Sequence, residues 1–362
     1  MIIGLFTDNH LQLRILFLVL SLNHHIFIMD SGTKPNLISN LPDCLLVLII
    51  SFLPFKQSVQ TSVLAKRWKN LCRETTNLVF KESEFGLNQF VVDTEAKNSE
   101  TRALFVSIMH QWISRFTGNT METFELCLPE PVGFEEDIMS LIEFAATKQT
   151  KNLVINFSSS NSRQPPGALH IKLIYFQKTG LDITRLFSNL IYVRNLTICP
   201  FLLEMIQDCD DPMKLHDPMK TRHLVIKTHM YPHEFGGITI FLNSCPELES
   251  LTFETYTTGP IVMSQRYWPL IHPKTFWLNN KTYECLERTL KAVKVENFCG
   301  ISNELHVLQY LIRTGRVMER LDLHAAKRLN NEQRRLVLTA AEEFQKNVER
   351  GSRHLRVTLH NA

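Results

Sequence analysis

Apolar and polar positions alternate with a period of two at eight places in this chain, and each place reads as a short strand with one buried face. The strands centre on Phe124-Glu125-Leu126, Leu153-Val154-Ile155, Leu196-Thr197-Ile198, Leu224-Val225-Ile226, Leu251-Thr252-Phe253, Val293-Lys294-Val295, Leu321-Asp322-Leu323 and Leu355-Arg356-Val357. Their first positions are 29, 43, 28, 27, 42, 28 and 34 residues apart. Between strands the apolar period lengthens to that of a helix. Ile138, Leu141, Ile142 and Ala145 share one face, and Leu305, Leu308, Leu311 and Ile312 share another. Near the end Leu336, Ala340, Phe344 and Val348 form a ladder. Gly315 and Gly351 stand where a helix terminator belongs.

Alternation of this kind predicts an α/β arrangement of parallel strands joined by crossovers. The short intervals match leucine-rich repeats, whose units run about 20–29 residues with one strand each. The long ones would hold insertions, including the Ser/Asn/Pro stretch from Ser158 to Pro166. A doubly wound α/β domain shows the same alternation. The solenoid is favoured because the strands are short and no Gly-rich phosphate loop follows the first.

Residues 38–72 break the pattern. From Leu45 to Ile50 every residue is apolar, so a helix here is greasy on all sides and needs cover all round. The run from Cys44 to Phe55 is too short to cross a bilayer, which takes about 20 apolar residues. Pro42 fits the first helical position and Asp43 the positive end of the helix dipole. Pro54 stops the helix, a short polar helix follows from Lys56, and a third begins near Ala65. On it Leu64, Trp68 and Leu71 share a face. From the residues alone the segment is either a helical hairpin packed on its own domain or a docking module.

Composition removes several functions. Across 362 residues, 39 basic residues face 36 acidic ones, a net +3 that gives no nucleic-acid footprint. Lys56, Lys66, Arg67, Lys69 and Arg73 make the helical segment locally basic, as a solvated helix face does. The eight cysteines form no Cys-x-x-Cys pair. Several, such as Cys127 and Cys199, sit in apolar segments and read as reduced thiols of a cytoplasmic or nuclear protein. No Gly-x-Ser-x-Gly elbow or Walker loop occurs. His233-Glu234 lacks the second His of a zinc-protease helix, and Pro232 between His229 and His233 makes this a solvated loop. Glu135-Glu136-Asp137 reads as helix-start chemistry. No catalytic residue, metal site or cofactor is expected. The sequons at Asn156, Asn195 and Asn280 carry little weight, two of them falling in or beside strands.

A resemblance chooses between the two readings of residues 38–72. Ile38, Leu41-Pro42, Leu45, Leu46, Ile49, Leu53-Pro54, Val59, Leu64, Lys66-Arg67-Trp68 and Leu71 resemble, in order, the F-box. This helical motif binds the Skp-type adaptor of cullin ubiquitin ligases. Ala65 and Cys72 stand where plant members often carry Ser and Trp. Residues 245–253, Cys-Pro-Glu-Leu-Glu-Ser-Leu-Thr-Phe, resemble the strand signature of plant F-box leucine-rich-repeat proteins. Leu290 to Val295, continuing through Asn303-Glu304-Leu305 and Val317 to Leu321, is similar to the FBD region of many of them.

The resemblance implies a three-helix F-box followed by a leucine-rich-repeat solenoid of short parallel strands alternating with helices. The expected divisions are an extension at 1–36, disordered or a non-native start, an F-box at 37–82, repeats at 100–285, and FBD-like repeats with a terminal helix and strand at 286–362. Met29-Asp30-Ser31-Gly32 resembles the usual start of plant members, so residues 1–28 read as a non-native extension. The implied role is a non-catalytic substrate receptor, with adaptor contacts at Leu41, Pro42, Leu45, Ile49, Leu53, Pro54, Leu64, Trp68 and Leu71. Its partners would be the adaptor, through it a cullin, and a target protein, without nucleic acid or membrane. The alternatives are a repeat scaffold without a ligase role and a secreted or membrane-tethered protein using residues 1–28.

Overall fold

The computed structural model describes residues 41–63, 65–85, 95–129, 133–157, 190–200, 202–203, 218–256, 272–278, 281–327, 329–346 and 348–360. The expected extension at 1–36, the insertion at 158–166, the Asn280 sequon and the contact residue Leu64 lie outside them. The chain divides into two compact units, Met1–Phe124 and Glu125–Ala362.

The first unit opens with three short helices, α1 (Asp43–Ser51), α2 (Phe55–Gln60) and α3 (Lys66–Leu71). Pro42 sits one position earlier than expected, capping α1 from outside with an extended backbone. Its carbonyl accepts the N–H groups of Leu45 and Leu46. Leu46 and Ile50, four apart on α1, pack with Trp68, Leu71 and Cys72 into a small core, against which Leu41, Val47 and Trp112 rest. At the end of α1 a buried polar hub replaces greasy packing. The Ser51 hydroxyl donates to the Val47 carbonyl and accepts from the Thr76 N–H, while the Asn77 amide donates to the Ser51 carbonyl. This hub leads into β1 (Asn77–Lys81), a strand that the sequence reading missed. A long helix, α4 (Glu95–Ile113), follows. Edge-on aromatic contacts run from Trp112 to Phe55, Phe80 and Phe124, with centroids 5.1, 4.7 and 5.9 Å apart. The strand β2 (Thr123–Cys127) falls at the division between the units.

The second unit is mixed α/β with a parallel sheet. Its strands β3 (Asn152–Asn156), β4 (Asn195–Ile198), β5 (His223–Thr228), β6 (Ser250–Thr255), β7 (Ala292–Phe298), β8 (Arg320–Ala325) and β9 (Arg356–His360) pair in chain order. Pairing holds register apart from a shift between Glu296 and Phe298 in β7, so Leu196, Leu224, Leu251, Val293 and Leu321 stand in one buried row. The alternation is complete in β6, where Leu251, Phe253 and Thr255 are buried and the residues between them are half-exposed. A backbone joint repeats at the strand entrances. The N–H groups of Arg222 and His223 share the Arg194 carbonyl, those of Glu249 and Ser250 the Arg222 carbonyl, and those of Lys291 and Ala292 the Glu249 carbonyl. Each entrance is thereby hung on the one before it.

Helices α5 (Glu135–Thr147), α6 (Phe235–Ser244), α7 (Pro273–Trp277), α8 (Glu284–Arg288), α9 (Ser302–Thr314) and α10 (Asn331–Lys346) fall between strands. Three helical details differ from the sequence reading. On α10 the buried face is Val337, Ala340, Ala341 and Phe344, while Leu336 is 53% exposed and Val348 lies past the helix end. Leu336 and Val337 are both apolar, so the pattern left the phase one residue loose. Gly315 caps α9 with φ −72, not in the left-handed region. Glycine is required there by space, because a Cβ would meet the Leu311 oxygen and the Met318 methyl at 2.8 Å. Finally, Leu305 on α9 is half-buried, and Val307 and Tyr310 join its buried face.

Candidate functional site

The sheet-bearing unit is closed to chemistry at the points sequence raised. His233 and Glu234 are buried in one 3-10 turn, Pro232–Glu234, and do not form the solvated loop expected. Pro232 starts this turn. The Glu234 carboxylate accepts the N–H groups of His229 and Tyr231 and the hydroxyl of Thr228. Glu304 repeats the device, accepting the N–H groups of Cys299 and Ile301. A carboxylate at the third helical position reaching back to free N–H groups is helix-start chemistry. Glu234 and Glu304 each stand three residues after a residue with extended backbone, Tyr231 and Ile301. Burial holds His229 down to about 4, with the nearby His233 adding to the effect. Burial pushes the Cys245 and Cys285 thiols up to about 12, so neither is a thiolate nucleophile at neutral pH. Among the described residues no three His, Cys, Asp or Glu side chains are placed to hold a metal ion. Nor, among them, is any helix long and apolar enough to cross a membrane.

The helical module is different. On α1 the inward positions are Leu46 and Ile50, and the outward ones are Leu45, Leu48 and Ile49, at the i, i+3 and i+4 spacing of one face. Leu45 is 44% and Leu48 47% exposed, Ile49 is half-buried, and Pro42 is exposed beside them. Val63, just before α3, is 84% exposed. This is an apolar patch on a module of three short helices.

The residues expected to form the contact divide. Pro42, Leu45 and Pro54 are exposed and Ile49 is half-exposed. Leu41 is half-buried against the core, and Leu53, Trp68 and Leu71 are buried within the chain. Leu48 and Val63 are also exposed and were not among the residues expected to form the contact. Leu48 stands three residues after Leu45, so helical phase alone could have added it. Arg67 fixes the patch geometry: its guanidinium donates to the Asp43 carboxylate and, at 2.7 Å, to the Leu41 carbonyl. That ties the start of α3 to the start of α1.

Residues 38–79, which span this module, match the F-box domain, and residues 280–323, from before α8 into β8, match the FBD. A putative F-box/LRR-repeat protein of Arabidopsis thaliana is 30% identical, aligning 91% of this chain with 98% of its own length. An F-box protein of the same plant is also 30% identical, over 92% of this chain and all of that protein. The chain belongs to the F-box protein family. A second putative F-box/LRR-repeat protein from Arabidopsis thaliana is 29% identical over 84% of this chain and 94% of its own. The F-box match spans α1 to α3 and the start of β1, and Pro42, Leu45, Leu48 and Val63 are exposed within it. F-box domains generally bind Skp-type adaptors. The FBD match covers the strand–helix–strand segment β7, α9 and β8.

Proposed function

We propose that this chain is a substrate-recognition subunit of a Skp–cullin–F-box ubiquitin ligase. The observation that carries the reading is the apolar face of α1, where Leu45 and Leu48 stand exposed on a segment that matches the F-box domain. Water covers these side chains in the isolated chain, at about 25 cal/mol for each Å² a partner would dry. The adaptor is the partner whose docking would dry them. Pro42, Leu45, Leu48, Ile49 and Pro54 make the contact, and Leu41, Leu53, Trp68 and Leu71 hold the helices in the geometry that presents it.

The role is positional. The F-box, taken as 37–82, holds the adaptor and through it the cullin. The repeats at 100–285 and the FBD-like repeats at 286–362 form a leucine-rich-repeat solenoid that presents a target protein. Parallel strands paired in chain order, three of their six intervals being 27 or 28 residues, support the solenoid. Raised effective concentration of target beside the ubiquitin-loaded subunit is the chain's whole contribution to rate, without chemistry of its own. The chain works in the cytoplasm, the nucleus or both. The test is co-purification of the full chain with a Skp-type adaptor and cullin. Co-elution in one complex, abolished by Leu45→Asp with Leu48→Asp, is the expected result. Separate elution of the unaltered chain would overturn the proposal.

A further inference from the structure

The F-box unit also holds a groove of about 310 Å³ between α2 and α4. Phe55, Val59, Ile108 and Trp112 supply its apolar lining, and Lys56 and Arg115 stand at it as cations. Among the described residues no carboxylate lines it. We propose that this groove docks an acidic protein segment that inserts one apolar side chain between flanking Asp or Glu residues. None of its lining residues is among those proposed to contact the adaptor, and the inference does not depend on that reading.

Size and charge point to the same occupant. At the low end of the range for binding pockets, about 300–1,000 Å³, the groove suits an anchoring side chain more than a whole cofactor. The walls are flat aromatic and β-branched surfaces, which favour an aromatic or leucine-like anchor. Lys56 and Arg115 are exposed and have no ion-pair partner among the described residues. Two cations with no acid among the described lining residues select for negative charge on whatever enters. They are too few for a nucleic-acid backbone, whose binding rests on many phosphate contacts. Phe55 and Trp112, packed edge-on at 5.1 Å, keep the groove's shape.

The probe is a fluorescein-labelled twelve-residue peptide with a central Phe-Leu pair flanked by Asp and Glu, titrated into the full-length protein by anisotropy. A second peptide carries Lys at every acidic position, and a third carries Ala in place of Phe-Leu. The acidic peptide should bind, and both replacements should weaken it by about tenfold or more. The double variant Lys56→Glu with Arg115→Glu, at two exposed positions, should invert the preference in favour of the Lys peptide, with an unchanged unfolding midpoint. Added salt should weaken the acidic peptide and leave the Ala comparison in place. Saturation with a Skp-type adaptor should leave acidic-peptide affinity unchanged. Three results would overturn the proposal: equal binding of acidic and basic peptides, no binding of the acidic peptide, or its displacement by the adaptor.

Discussion

Helix α1 and strand β6 solve the same problem with opposite results. In β6 the apolar residues Leu251 and Phe253 occupy inward positions and are fully buried, while the positions between them are Ser250, Thr252 and Glu254. Every apolar side chain of the strand has a covered place, and the third covered place goes to Thr255. In α1 the six-residue run Leu45–Ile50 exceeds those places, and only Leu46 and Ile50 are sealed. A period-two strand declares which face is wet, whereas a helix greasy all round declares only that some cover is missing. The strands thus seal their inward apolar residues within the sheet-bearing unit, whereas α1 leaves Leu45 and Leu48 exposed.

The comparison breaks hardest where the sheet is hollowed. Phe253→Ala removes a fully buried ring and should cost about 3–5 kcal/mol in unfolding by denaturant. Adaptor affinity, measured below the new midpoint, should be unchanged, because the F-box supplies that contact itself. A smaller effect separates the two regions by pH. Burial raises Glu304 from 4.5 to about 7, against the pull of its N–H donors. Between those values the folded chain holds a proton that the unfolded chain has released, so stability falls as pH rises through the window. The size is a few kcal/mol at most, at about 1.4 kcal/mol for each pH unit that separates the folded from the unfolded carboxyl. Denaturant midpoints from pH 4.5 to 8 should show the decline, and Glu304→Gln should flatten it. The smallest effect belongs to Arg67→Ala. The pair with Asp43 is exposed on both sides, so unfolding should change by about 1 kcal/mol or less. Adaptor affinity should fall by several-fold, because the starts of α1 and α3 lose their tie.

How much could be read in advance follows from the same contrast. Seven of the eight sequence-derived strand centres lie inside strands, and at the eighth the strand begins at Arg356, one residue past Leu355. The in-register rows follow from that period. The strand β1 was missed because its inward residues Leu78 and Phe80 give only two turns of alternation directly after a helical segment. The His229–Glu234 region was misread because Pro232 was taken as a breaker, although proline at a first helical position opens a turn. On α10 adjacent apolar residues hid a one-residue shift of phase. The F-box site was legible as a segment and not as a surface. Trp68 and Leu71 carry the family pattern as clearly as Leu45 does, yet they are buried, and only the positions of α1 and α3 separate the buried residues from the exposed ones.

The central claim is that the outward face of α1 is stable when wet and is dried by the adaptor. One paired measurement on the full chain tests it: the unfolding midpoint and the adaptor dissociation constant of Leu45→Asp with Leu48→Asp against the unaltered protein. The account predicts a midpoint within about 0.5 kcal/mol of the original and affinity lost by about a hundredfold or more. A collapsed midpoint, or an unchanged dissociation constant, would contradict it.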